Sequence, residues 1–425
     1  MNPQEQTFPR FDMAKPVKRP NVFLKLLATA LCVPSVISHR TIIRKERTEG
    51  LKPPYVLLCN HNAFQDFKVA LRCTFPYNAN FVVAIDGFIG RERLLRDLGC
   101  ICKRKFTNDV VLVKQLVRTI KNGDIAAIYP EARYSLAGTT AVLPESLGKL
   151  CKLLKVPVVT LICHGHHVNS PFWNLKGKHV NGLEAEFSLL FSKEELDRAT
   201  AEEVNRKIVS AFQYNDYEWQ KEKNVLVPYK KRAEGLHKVL YQCPHCGKEF
   251  DMRSEGTRLF CGSCGKSWTM EENGSLSGED GVTGFSSVPE WYEWERANVR
   301  REVEAGTYSS GALPVTVRSL PNAKKFILLG EATMVHDMNG FRVNGTGSYG
   351  GFSMEIASKT QYSVHIEYEY LGKFGDCVDL NTLEDTWYVY PKDKPFSVTK
   401  MALATEEIYQ KIQRDRGISH LPGMA

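Results

Sequence analysis

Between about residues 50 and 190 the apolar positions follow two rhythms. Tyr55-Val-Leu-Leu-Cys59 and Phe81-Val-Val-Ala-Ile85 are unbroken apolar runs, the pattern of strands buried on both faces. From Asp109 to Lys121 the spacing is helical, and it stops at Asn122-Gly123, a usual helix end. Ile125-Ala-Ala-Ile-Tyr129 is another strand run, halted by Pro130. A helix is expected over Pro144–Lys155, opened by Pro-Glu-Ser, and a strand over Val156–Cys163. Strands alternating with helices predict an α/β domain with a mostly parallel sheet.

Beyond about Ala201 the pattern turns polar and helical as far as Leu240, through the charged stretch Tyr229-Lys-Lys-Arg-Ala-Glu234. A compact cysteine module follows, then a Gly/Ser-rich break over 274–287 and a helix over Trp291–Ala305. Short strands are expected at Leu313–Arg318, Lys325–Ala332, Gly340–Asn344, Phe352–Ala357, Ser363–Leu371, Gly375–Leu380 and Thr386–Tyr390. Asn339-Gly340 and Asn344-Gly345 serve as turns between them, and a helix over Ser397–Arg414 closes the chain. Seven strands and a closing helix resemble a pleckstrin-homology-like barrel. The expected domains are a basic amphipathic segment (1–48), the α/β domain (49–235), the cysteine module (236–278) and a β-rich C-terminal domain (288–418).

With 43% apolar and 10% aromatic residues in 425, the chain is neither disordered nor a small disulfide scaffold. Eight of its 12 cysteines are scattered, several of them inside apolar runs, and no secretory signal precedes them. Reduced thiols and a cytoplasmic location follow. The net charge is +8, and its placement carries the information. Around the apolar stretch Val22–Val33 lie Arg10, Lys15, Lys18, Arg19, Lys25, Arg40, Arg44, Lys45 and Arg47, against Glu5, Asp12 and Glu46. Only 13 uncharged residues separate Lys25 from His39, too few for a span of about 20. The alternatives are an interfacial helix on anionic lipid, at the cytoplasmic face, and an ordinary first helix with solvated charges.

Candidate chemistry begins at Asn60-His61-Asn62-Ala63-Phe64-Gln65-Asp66, where a strand ends and ligands usually bind in open α/β sheets. His61 and Asp66 can pair across a tight loop, the carboxylate fixing the imidazole tautomer and leaving its other nitrogen as a general base. No Gly-x-Ser-x-Gly turn supplies a nucleophile, so the natural reaction is direct attack by a hydroxyl on an activated acyl group. Three adjacent cations, Lys103-Arg104-Lys105, follow an apolar strand and suit a phosphate or lipid headgroup. Tyr129-Pro-Glu-Ala-Arg-Tyr-Ser135 lies at the next strand end, and Val156-Pro-Val-Val159 comes last.

These four blocks, in this order over about 50–190, resemble those of the glycerolipid acyltransferases, the lysophosphatidic acid acyltransferase group in particular. The resemblance implies His61 as general base with Asp66 as its partner. It also implies an acceptor site drawn from Asn60, Lys103, Arg104, Lys105, Glu131, Arg133 and Ser135. An acyl thioester, on coenzyme A or an acyl carrier protein, would acylate a lysophospholipid, giving phosphatidic acid from lysophosphatidic acid. Four departures stand out. Ala63 occupies a frequent Ser position, and Lys105 the family's Arg. Ala132 replaces Gly, and Arg133 comes one place early, with Tyr134 where Arg is usual. Glycerol 3-phosphate or another lysophospholipid is the alternative acceptor. A non-catalytic lipid- or protein-binding adaptor is the alternative of another class.

His164, His166 and His167 follow the last block. They either bind a metal or line the site; with no ligand paired to them in sequence, and none needed by the family, lining is the reading and no catalytic metal is expected. Cys243-Pro-His-Cys246 and Cys261-Gly-Ser-Cys264, 14 residues apart, have the spacing of a zinc ribbon in which four thiolates close a structural site. Redox use of either pair would want a βαβ setting, which is missing. Charges through this module are mixed, so no nucleic-acid partner is expected.

Overall fold

Parallel strands buried on both faces need helices on each side, and the first half of the chain supplies them. The computed structural model describes residues 8–369, 374–392 and 395–417. Two units result: one takes 12–103 and 108–225, the other 104–107 and 226 onward together with 8–11. In the first unit, strands β1 (Ile42–Glu46), β2 (Val56–Cys59), β3 (Ala79–Ala84), β4 (Ile101–Lys103), β5 (Ile125–Ile128), β6 (Val158–His164) and β7 (Glu184–Phe191) form one sheet. Their order is β1-β7-β6-β2-β5-β3-β4, and only the β6–β7 pairing is antiparallel. The central strands β2, β5 and β6 are buried almost throughout, as continuous apolar runs require.

The local signals act where expected. Asp109 caps helix Val110–Lys121 by accepting from the Val111 and Leu112 N–H groups, and Asn122 ends it before Gly123 at φ +77°. The helix expected from Pro144 begins later, at Leu147, and ends at Leu154. β1 and β7 carry no unbroken apolar run. β1 pairs only with β7 and keeps Arg44, Lys45 and Glu46 exposed, as an edge strand does.

In the second unit, β8 (Met252–Glu255), β9 (Arg258–Cys261), β10 (Ser267–Met270) and β11 (Leu276–Gly278) make a small antiparallel sheet around the cysteines. It packs on helix Val288–Glu304. Trp268 meets Trp291 edge-on at 4.8 Å, and the Trp291 indole N–H donates to the Gln242 carbonyl. Seven further strands follow: β12 (Leu313–Ser319), β13 (Ile327–Asp337), β14 (Gly340–Gly347), β15 (Gly350–Ala357), β16 (His365–Glu367), β17 (Cys377–Asn381) and β18 (Thr386–Pro391). Their order, β15-β14-β13-β12-β18-β17-β16, makes an antiparallel sheet, and helix Val398–Asp415 closes it. The end of the expected strand Ser363–Leu371 lies outside the described residues.

Asn339-Gly340 is a hairpin corner, with Gly340 at φ +111°. Asn344-Gly345 is not. It sits inside β14, paired on both sides, and the turn falls at Ser348-Tyr349. The glycine serves packing: a Cβ on Gly345 would come within 2.6 Å of both Ala332 and Phe352.

Candidate active site and metal centre

Strands β2, β5 and β6 run parallel, so the loops leaving their carboxyl ends converge, and the site assembles there. Asn60 extends the ladder by side chain. Its Nδ2 donates to the Cys163 carbonyl at 2.9 Å and its Oδ1 accepts the Cys163 N–H at 2.8 Å. The chain then turns through His61 and Asn62 into helix Phe64–Thr74. Asp66 stands in the first turn of that helix, 0% exposed, and its Oδ2 accepts the N–H groups of Asn62 (2.5 Å) and Ala63 (2.9 Å). Asp66 itself thus closes the loop that carries His61.

His61 Nδ1 lies 3.5 Å from Asp66 Oδ2, without a hydrogen bond, while its side chain keeps 23% exposure. Tyr129 and Tyr134 flank the imidazole, both with centroids at 4.3 Å. Asp66 makes a shorter contact with His166, whose Nδ1 is 2.5 Å from Oδ1 with both side chains fully buried. Burial pushes the Asp66 carboxyl up, but the His166 hydrogen bond and the two neighbouring imidazoles outweigh it and hold the group at about 2.

Glu131 is buried and closed on itself. Its Oε1 accepts the His61 N–H at 3.0 Å, its Oε2 the Ala141 N–H at 2.9 Å and the Tyr214 hydroxyl at 3.1 Å. The single Tyr214 O–H proton is shared between Glu131 and Asn62 Oδ1, which lies at 3.0 Å. Burial drives the Glu131 carboxyl up to about 8 against these donors. Ser135 donates its N–H to the His61 carbonyl and its hydroxyl to Thr139 O. Ala132 holds φ +55° in the same loop, the left-handed conformation that favours glycine. Arg133, next in that loop, is 4% exposed.

The expected cations divide. Lys103 ends β4, three strand spacings from β2 or about 14 Å, and burial lowers its pKa. Arg104 and Lys105 belong to the second unit. There the buried Arg104 guanidinium donates to the carbonyls of Leu320, Pro321 and Glu384 and to the Thr386 hydroxyl. Lys105 Nζ lies 3.0 Å from His365 Nε2 and 3.7 Å from Asp379. His167 gives its backbone N–H to Asp216, and burial lowers its imidazole to about 3. His164 is partly buried, which also lowers its pKa.

Among the described residues three clusters bring metal-type ligand atoms within 4.8 Å of one another. The four cysteines fit a metal. Cys243 and Cys264 sulfurs are 3.8 Å apart, as are those of Cys246 and Cys261. A tetrahedral ion about 2.3 Å from each thiolate sets its sulfurs about 3.8 Å apart. Asp66, Cys163 and His166 do not fit, because the 2.5 Å contact is a hydrogen bond with no room for an ion. In the third cluster, His365, Glu367 and Asp379, the Lys105 ammonium already stands beside the ligands.

Helix Val22–Ser38 exposes Val22, Phe23, Leu26, Leu27, Leu31 and Ile37 and buries only Val36. It leans on helix Phe64–Thr74 through Ser35, which donates to Gln65 and accepts from Lys68. Most surrounding cations are engaged. Lys18 pairs with Asp97, Arg19 with Asp124, Arg44 with Glu184 and Arg47 with Glu195; Lys25 binds Asn78. No helix among the described residues is long and apolar enough to cross a membrane.

Sequence reasoning placed His166 only as lining and missed Tyr214 altogether. Tyr214 lies in a polar helical stretch where nothing marks one tyrosine from another.

No family model matches the chain, and no curated protein matches it. Among solved structures it is similar to the 1-acyl-sn-glycerophosphate (LPA) acyltransferase PlsC of Thermotoga maritima. That likeness covers 47% of this chain and 79% of the other, with a TM-score of 0.36 and 13% identity. So remote a likeness leaves the chemistry to be read from the site itself.

Proposed function

We propose that the first unit is an O-acyltransferase that moves an acyl group from a thioester to a lysophospholipid hydroxyl. The observation that carries this reading is the part-exposed His61 facing the fully buried Asp66 carboxylate at the carboxyl end of a parallel sheet. The four-block resemblance to glycerolipid acyltransferases points the same way. With Nδ1–H turned to Asp66, the Nε2 of His61 takes the acceptor's proton as the oxygen attacks the thioester carbonyl. The tetrahedral intermediate collapses and the proton passes to the departing thiolate. Ser135 is tied to Thr139 and Asp66 already accepts from three donors, so direct transfer without an acyl-enzyme is the simplest course.

Asn60, Glu131 and Ser135 are read as the frame of the His61 loop, because each spends its polar groups on backbone. Lys103 and Arg133 are kept as candidates for the acceptor's phosphate on the strength of the family resemblance alone. The exposed apolar row of helix Val22–Ser38, with Arg40 and Lys45 also exposed, is read as an interfacial anchor on anionic lipid at the cytoplasmic face. The four cysteines would hold a structural zinc ion, leaving no open position for chemistry. Two antiparallel meanders closed by a C-terminal helix support the pleckstrin-homology-like reading of the last domain.

The test is to incubate the purified protein with lysophosphatidic acid and a long-chain acyl thioester beside His61→Ala. Phosphatidic acid that forms with the wild type and is lost in the variant supports reaction and base together. Product from neither, across several acceptors including glycerol 3-phosphate, overturns the reading in favour of a non-catalytic adaptor.

A further inference from the structure

Asp66 has more donors than one catalytic partner explains. Its Oδ2 holds two backbone N–H groups and is 3.5 Å from His61 Nδ1; its Oδ1 is occupied by His166 at 2.5 Å. A carboxylate only accepts, so the His166 proton must sit on Nδ1, and its Nε2 is buried with no hydrogen-bond partner. His166 follows Gly165, which is left-handed at φ +79° and is covered by Trp219, whose ring would stand 2.3 Å from any Cβ at that position. The backbone there admits only glycine, and this delivers His166 to the carboxylate.

We propose that His166 is a positioning residue of this site: by occupying Oδ1 it stops the Asp66 carboxylate from turning and leaves Oδ2 alone to face His61. The inference rests on the acyl-transfer reading for its kinetic consequence, and on geometry for the pairing itself. The negative charge of Asp66 is shared between two imidazoles. Removing one leaves the whole charge to His61, which becomes the stronger base but is less well aimed. Other titratable groups facing this cluster are Cys59 on β2, Tyr129 and Glu131 after β5, Cys163, His164 and His167 at the end of β6, and Tyr214 and Asp216, with His39 and Lys68 beyond them. The buried thiols are pushed well up in pKa and do not titrate in the working range.

The experiment compares wild type with His166→Ala and His166→Asn, the latter restoring an N–H donor near the Nδ1 position. His166→Ala should lower kcat about tenfold to a hundredfold, as loss of an orienting partner does. KM should stay within about twofold, and the acidic limb of the kcat/KM profile should move to higher pH. His166→Asn should recover most of kcat. An acidic limb that stays in place, or a loss carried by KM, would overturn the proposal. Proton NMR separates this from the functional reading. A far-downfield imidazole proton should vanish in His166→Ala and in Asp66→Asn but persist in His61→Ala. If it vanishes only with His61, the pairing is wrong whatever the activity. If no wild-type acyl transfer occurs while the resonance behaves as expected, the acyl-transfer reading falls and the pairing stands.

Discussion

Glu131 is the sharpest place to separate scaffold from substrate contact. Two backbone donors, His61 N–H and Ala141 N–H, end on its carboxyl at 3.0 and 2.9 Å with no solvent to replace it. An orphaned buried N–H costs about 1–3 kcal/mol, so Glu131→Ala should lose about 2–6 kcal/mol. Tyr214 would keep its bond to Asn62. Glu131→Gln retains one carbonyl for one donor and turns its NH2 toward the other, and should lose about 1–3 kcal/mol. Urea unfolding at constant m-value reads these losses, and hydrogen exchange at the His61 and Ala141 amides localises them. Because His61 is tethered through its backbone, kcat should fall in the Gln variant while KM for the acceptor holds.

The same residue carries a pH signature. Burial raises its carboxyl from 4.5 to about 8, so its stabilising contribution is complete below about pH 4.5 and is lost as pH rises through about 8. Glutamine does not titrate, so the gap between wild type and Glu131→Gln should narrow as pH rises from about 4.5 to about 8 and stay level above that. A Gln variant with an unmoved midpoint and a tenfold higher KM would refute the scaffold argument and make Glu131 a substrate ligand.

Three further predictions follow from the geometry. Cys243→Ser, or a chelator, should reduce bound zinc from about one ion per chain to none by atomic absorption and lower the melting temperature, with acyl transfer lost only as the fold is lost. Phe23→Asp with Leu31→Asp should cut flotation on anionic vesicles at least about tenfold, since each side chain contributes about 1.5–3 kcal/mol when buried. Because Lys18, Arg19, Arg44 and Arg47 are paired within the chain, that binding should resist moderate salt, and binding abolished by salt alone would contradict the apolar anchor. Arg104→Ala orphans the Leu320 and Glu384 carbonyls, while Pro321 keeps the Phe11 N–H, and should cost about 2 kcal/mol or more in urea unfolding with acceptor KM unchanged; a raised KM with unchanged stability would return Arg104 to the acceptor site.

Much of this molecule is local, and local features are readable in sequence. Continuous apolar runs could only be strands covered on both faces, which is why β2, β5 and β6 stand out. Asn122-Gly123 ends a helix through backbone preference alone. Paired Cys-x-x-Cys knuckles bring two ligands together by spacing, and one sheet brings the pairs to each other. His61 and Asp66 are joined by a single tight turn, so their meeting needs no distant element.

What the tertiary structure decided concerns partners far apart in the chain. Asn344-Gly345 has a turn's composition, yet a close approach between strands spends that glycine inside a ladder. Three adjacent cations look like one anion site, but neighbours in sequence point into different surroundings, and Arg104 finds carbonyls more than 200 residues away. Arg296, Glu406 and Glu407 would be taken for solvated helix faces; they are a buried ion-paired cluster because two helices pack there. His166 reaches Asp66 across 100 residues because β2 and β6 are parallel neighbours. Periodicity and spacing carry information only about what lies within a few residues, whereas hydrogen bonds and ion pairs go to whatever groups the packed core brings within reach.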